Sequence, residues 1–389
     1  MNTYLAEYKR KLITAEAAAD LVQSNNIVDY GMFATKPVDF DIALGKRVGQ
    51  VQNVAIRGTG TVPPFPQVVQ NDPEQKSFQY FSWYFTLIDR MAGDKGLTCH
   101  LPFNYHEATI LAYHHRDLHH IKPTVWVAQT TPMDRNGCFN FGIGNSHNRG
   151  IALWADIVIV EVNENMPRCL GGNDEYIHIS EVDYVIEGSN TPPFSTPKMG
   201  ESSPEEKKIA EFIVPHVENG SCLQLGIGSL PNTIGEMIVH TDVRDLGIQS
   251  EMFCDAFVTL YNAGKVTNAM KSFDINKSSF SFCLGTRETY DFIHDNPRLA
   301  SCKVNHTNNP DFVAQNDKVV SINNIVEVDL LSQVCSETSG LRQISGTGGQ
   351  LDFVIGAFHS RGGKSFLAFT STYKDKKSGE IKSRIKPLL

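Results

Sequence analysis

Along this chain, short unbroken apolar runs alternate with stretches whose apolar residues recur every three or four positions. Val125-Trp126-Val127-Ala128 and Ile157-Val158-Ile159-Val160 are continuous apolar runs of strand length. A strand with one wet face alternates polar and apolar residues; a strand covered on both faces need not. These two runs are therefore expected to be buried strands. Val319-Val320-Ser321-Ile322 and Phe366-Leu367-Ala368-Phe369 read the same way later in the chain. Strand and helix alternating throughout predicts α/β layers around mostly parallel sheets.

One stretch interrupts this pattern. Residues 187–205 hold Pro192, Pro193, Pro197 and Pro204 among Ser, Thr and Gly. Proline removes a backbone donor and fixes the backbone, so the stretch is expected to be a linker. The chain should divide into domains at 1–188 and 206–389, with 189–205 between them. A helix should open at the end of the linker. Ser203 can cap it, Pro204 suits its first turn, and Glu206 completes a capping box. Ile209, Phe212 and Ile213 follow at helical spacing, and Pro215 should end or kink the helix.

Composition narrows the class. The 389 residues suit two or three domains, and 41% hydrophobic residues exclude general disorder. Thirty-five basic against 43 acidic residues give a net charge of -8, with no basic block. That argues against nucleic acid or a membrane surface as partner. Eight scattered cysteines with no C-x-x-C pair read as free buried thiols of a reducing compartment. There is no signal-peptide core and no apolar stretch of about 20 residues. The best run, 151–162, is broken by Asp156 and Glu161. A cytoplasmic location is the expectation.

Three segments could carry chemistry. Leu223–Pro231 runs from a short strand through Gly226-Ile227-Gly228-Ser229-Leu230 into a helix start at Pro231. Such a loop lets a ligand approach the backbone, and a helix N-terminus suits an anion. It is neither a dinucleotide fingerprint nor a P-loop, and it reads equally as a tight turn. In Leu246–Met252, a strand over Leu246–Gln249 should place Glu251 between a strand end and a helix. There a carboxylate can be a nucleophile, a base or a partner of the helix dipole. Ser345–Phe353 has glycine at Gly346, Gly348 and Gly349. Its N–H groups could hold an anion or an oxyanion, or it could be a plain turn.

Together the segments resemble the acetyl-CoA hydrolase/transferase family of short-chain coenzyme A transferases. That family carries a G-I-G loop, an S-E-M or T-E-M glutamate and a G-x-G-G-Q-[LV]-D-F loop, in this order. Here they are Gly226–Gly228, Ser250–Met252 and Gly346–Phe353. Glu161–Gly172, Val185–Asn190 and Ser321–Asn324 further resemble its butyryl-CoA:acetate branch.

The resemblance implies two similar open α/β domains with mostly parallel sheets and a cleft between them. It implies a homo-oligomer with acyl-CoA and short carboxylic acids as substrates, and no prosthetic group. Glu251 is implied as the nucleophile that forms an acyl anhydride and then a glutamyl-CoA thioester. With a reference pKa of about 4.3 it is expected to be ionised at neutral pH without a partner base. Amides of Gly346–Gly349 are implied as oxyanion donors. Gly226, Ile227, Gly228, Ser229, Leu230, Gly346, Gly348, Gly349 and backbone near Val326 are implied contacts of coenzyme A. Asn323 is a candidate partner of Glu251 or of the substrate carboxylate, or else a turn cap. Gln249 stands where relatives often have His. The family pattern continues past Leu389 with a T-E-Y-G segment, so the second domain is expected to be short of its usual end.

Other readings stay open. An acyl-CoA hydrolase on the same scaffold would use water as acceptor. 4-Hydroxybutyrate or propionate could replace butyrate, since pockets separate such acids by only about 1–3 kcal/mol. A ligand sensor of similar architecture would form no covalent adduct. His100, His106, His114, His115, His119 and His120 cluster in sequence. His115 and His119 could share a helix face, but the zinc-protease motif fails because Ile110 stands four after His106. No metal is expected.

Overall fold

The two unbroken apolar runs pair with each other. In the computed structural model, which describes residues 3–109, 117–198, 200–375 and 378–389, Val125–Thr130 and Ile157–Val162 lie parallel, Val125 opposite Ile157. Every residue of Val125–Thr130 is buried. The first sheet has seven strands. Its order is Thr98–His100, Phe78–Ser82, Val54–Gly58, Ile27–Tyr30, Val125–Thr130, Ile157–Val162 and Tyr184–Glu187. All neighbours in it are parallel. Glu161, which interrupted the apolar run, is buried for a local reason. Its carboxyl accepts from Val38 N–H at 2.8 Å and Phe40 N–H at 2.9 Å, at the start of the Asp39–Gly45 helix.

The second sheet has six strands. They run Leu299–Ser301, Ser278–Cys283, Gly247–Phe253, Cys222–Leu225, Val319–Asn324 and Lys364–Ala368, again all parallel. Both sheets share one topology. The strand that comes first in sequence has the second on one side and the fifth on the other. Strand order reverses at that point, and a crevice opens at the carboxyl ends of the two strands. The last run behaves differently from the others. Lys364–Ala368 is an edge strand whose exposure alternates, so one of its faces meets water.

The described residues between Glu187 and Pro204 form neither helix nor strand. The helix Pro204–Ile213 opens with the expected box. Ser203 Oγ accepts from Glu206 N–H at 3.2 Å and Glu206 Oε2 from Ser203 N–H at 2.9 Å. Pro215 lies in a short 3-10 turn that follows it. The cysteines are free, five of them buried. No helix among the described residues is long and apolar enough to cross a membrane.

The two halves meet through backbone. Ser146 N–H donates to Ser281 O at 2.9 Å, Val304 N–H to Ser146 O at 3.0 Å, and Ser301 N–H to Leu170 O at 3.3 Å. Arg168 forks onto Asp295 at 2.6 and 2.8 Å. Gly172 makes the closest approach: a Cβ there would fall 1.8 Å from Ser301 O. Gly172→Ala must push the halves apart. It is expected to cost roughly 1–3 kcal/mol of stability, read as a lowered denaturant midpoint.

Candidate active site

Glu251 is inside a strand rather than after one. The strand extends to Phe253, and the next helix begins only at Asp255. The carboxylate therefore does not serve the N-terminus of the helix that follows it in sequence; it meets instead the Gly349 amide that opens the Gln350–His359 helix. It faces a cavity of about 730 Å³ between the halves. The first half supplies apolar walls, among them Met32, Phe33, Val62, Phe85, Phe103 and Tyr105. The second half supplies Glu251 and the backbone of Gly346, Gly348 and Gly349.

Two donors meet the carboxyl. Asn308 Nδ2 donates to Glu251 Oε2 at 2.7 Å, and the Gly349 N–H donates to the same carboxyl. A second carboxyl stands behind. Asn308 Nδ2 is 3.4 Å from Asp352 Oδ2, and Asp352 Oδ1 lies 2.7 Å from His106 Nδ1. Burial pushes the Glu251 carboxyl up to about 8. The Asp352 charge adds to the rise, while Asn308 and the Gly349 N–H oppose it. This corrects the expectation of a freely ionised glutamate. The reference value holds in open water, and this carboxyl sits half-buried at the cavity wall.

The glycines of the last loop are held by contact. A Cβ on Gly349 would fall 1.9 Å from Glu251 Oε2 and 2.2 Å from Asn308 Nδ2. A Cβ on Gly346 would lie 2.8 Å from Trp83 O. Gly348 has φ +51° and rests on the Tyr84 ring. In the first glycine loop, Gly226 and Ile227 line the cavity, joined by Pro231. Gly228, Ser229 and Leu230 do not. The helix has already begun at Ser229, whose hydroxyl donates to Glu206, and Leu230 turns into the core.

Asn323 and Val326 line the cavity but are otherwise engaged. Asn323 Nδ2 donates to Gln224 Oε1 at 3.1 Å and to Ser321 Oγ at 2.9 Å. Its proposed place beside Glu251 is taken by Asn308. Val326 N–H donates to Cys335 O at 3.0 Å, and Val326 O accepts from Arg384 at 3.2 Å. Both of its backbone groups therefore already have protein partners.

Residues 1–194 match the acetyl-CoA hydrolase/transferase N-terminal domain, and residues 285–389 match its C-terminal domain. The chain belongs to the acetyl-CoA hydrolase/transferase family.

It is a short-chain acyl-CoA transferase. A probable butyrate:acetyl-CoA coenzyme A-transferase of Syntrophomonas wolfei is 46% identical over 99% of this chain and 84% of its own. The butyryl-CoA:acetate CoA-transferase of Anaerostipes caccae is 42% identical over 100% of this chain and 85% of its own. The structure of RipA from Yersinia pestis superposes with a TM-score of 0.86 at 33% identity, covering 100% of this chain and 86% of that one.

Three polar residues of this transferase site escaped the sequence reading. Asp352 stood inside the quoted glycine motif without a role. Asn308 precedes an Asn309-Pro310 helix start, a signal that reads only as capping. His106 was weighed only as a metal ligand, and it pairs with Asp352 instead. His119 and His120 sit in a short turn, while His114 and His115 lie outside the described residues. Gln249 is buried one layer behind, donating to Thr307 O at 3.2 Å and accepting from Asn316 at 2.8 Å. It thereby holds the residue next to Asn308.

Proposed function

We propose that this transferase moves coenzyme A between butyryl-CoA and acetate through a glutamyl-CoA thioester on Glu251. The observation that carries the reading is the Glu251 carboxyl at the cavity wall, met by the Gly349 N–H and Asn308. The relatives named for butyrate and acetate support the substrate pair. The apolar walls suit the acyl chain of such a substrate.

The Glu251 carboxylate attacks the thioester carbonyl. The tetrahedral intermediate collapses, the carbon–sulfur bond breaks, and CoA thiolate leaves an acyl-glutamyl anhydride. The thiolate then attacks the glutamyl carbonyl and expels butyrate, giving the glutamyl-CoA thioester. Acetate reverses these steps and leaves as acetyl-CoA. Each intermediate carries an oxyanion that a Gly349 or neighbouring amide can meet. One thioester replaces another, so no external energy source is needed. Gly226 and Ile227 on one side and the Gly346–Gly349 backbone on the other would hold coenzyme A. The domain division at 189–205 is part of the same reading.

Incubation with butyryl-CoA followed by borohydride should reduce the thioester and mark the peptide that holds Glu251. An unmodified Glu251 peptide would overturn the reading. CoA released without acetate would identify a hydrolase instead.

The pH dependence follows from the buried carboxyl. The nucleophile is the anion, which is the minor form below about pH 8. kcat/KM for acyl-CoA should rise about tenfold per pH unit on the acidic side and level off above the midpoint. A rate already flat from pH 6 would contradict it.

A further inference from the structure

The transfer chemistry calls on a nucleophile and on amides that meet it. His106 and Asp352 are neither, since they line no part of the cavity. Yet they form a continuous path to Glu251. The Asp352 side chain is 3% exposed, with its carboxylate held by His106 on one side and Asn308 on the other. The Asn308 amide reaches both carboxyls, Glu251 at 2.7 Å and Asp352 at 3.4 Å. His106 comes from the Tyr105–Glu107 turn of the first half, and Asp352 from the first turn of the Gln350–His359 helix of the second. The helix that presents the Gly349 amide is thus tied across the cleft to a residue 246 positions away.

We propose that His106 and Asp352 act as a positioning pair that sets, through Asn308, how readily Glu251 gives up its proton. The inference rests on Glu251 being the nucleophile. A lone Asp352 anion behind Asn308 opposes a second negative charge on Glu251. A protonated His106 cancels most of that field. The surroundings favour the protonated imidazole: Asp352 faces it, Glu107 lies on its own turn, and Asp311 approaches from the Pro310–Val313 helix. Glu251 in turn faces Asp352, Asn308, the Gly349 N–H and the hydroxyls of Tyr84 and Tyr105, which burial keeps protonated. The reactive arrangement is therefore imidazolium, Asp352 anion and Glu251 anion together.

The pair makes a signed prediction. His106→Gln keeps a donor toward Asp352 but removes the cation, so the acidic midpoint of kcat/KM should move up. Asp352→Asn removes the opposing anion, so the midpoint should move down. Each shift should be about one pH unit, roughly tenfold in rate at pH 7. A merely structural pair would lower the plateau with the midpoint unmoved, or move both midpoints the same way. Either result overturns the proposal.

A second measurement does not depend on those variants folding. In the full chain, the His106 imidazole NMR signal should show an extra inflection where Glu251 ionises, near pH 8. Glu251→Gln should abolish it. A single His106 inflection, the same in both proteins, overturns the coupling. If instead Glu251→Gln leaves acyl exchange intact, it is the nucleophile reading that fails.

Discussion

Glu251→Gln should lower acyl exchange by at least about a thousandfold, because an amide cannot take the acyl group and form the thioester. The same variant should be more stable than the parent at alkaline pH. The Glu251 carboxyl ionises near 8 in the fold, against 4.5 for the free group. The folded state thus holds a proton that the unfolded chain releases, and the parent loses stability as pH rises between those values. Glutamine does not titrate. The stability gap in favour of the variant should open above pH 4.5 and level off above pH 8, at about 2 kcal/mol for a cavity that water still reaches. Chemical denaturation at several pH values reads it directly. A variant no more stable at pH 9 than at pH 5, relative to the parent, would mean the carboxyl is not held out of water.

Gly349→Ala has the second largest expected effect. Its methyl would occupy the space of Glu251 Oε2 and Asn308 Nδ2, at 1.9 and 2.2 Å. Neither can move aside freely. Asn308 is fully buried and also hydrogen-bonded by Thr307, and Glu251 is fixed within a strand. The amide that should meet the oxyanion is displaced with them. Loss of one such donor costs about a hundred- to a thousandfold in rate, and kcat should fall by at least that much. Gly226→Ala is the control. A Cβ there meets nothing within 4 Å, so folding should be untouched while coenzyme A binding reports the added methyl. Equal kcat for Gly349→Ala and the parent would remove the glycine amide from the mechanism.

What the sequence made legible was local. Val125–Ala128 and Ile157–Val160 announce buried parallel strands because both faces are covered, and the covering leaves its mark residue by residue. Ser203, Pro204 and Glu206 announce a helix start because the whole motif lies within four positions. Phe366–Phe369 misleads, since an apolar run does not reveal that its strand will lie at a sheet edge with a wet face. The reactive glutamate and the glycine loop were legible through family resemblance. Their partners were not. Asn308 is 57 residues from Glu251, and His106 is 246 from Asp352; only the packing of two sheets brings them together. The expected ionisation of Glu251 failed for the same reason, because its partial burial arises only where the two halves pack together.

The apolar walls of the cavity are drawn from both halves, Met32, Phe33 and Phe103 from the first and Met252, Phe282 and Ile325 from the second, which also brings the reacting carboxyl and amides. Taste is thus written in two distant stretches of the gene at once, one of which also carries the chemistry. Recombination within the linker would join walls that never packed together, so a new appetite for longer or branched acids has to come from matched changes in both halves.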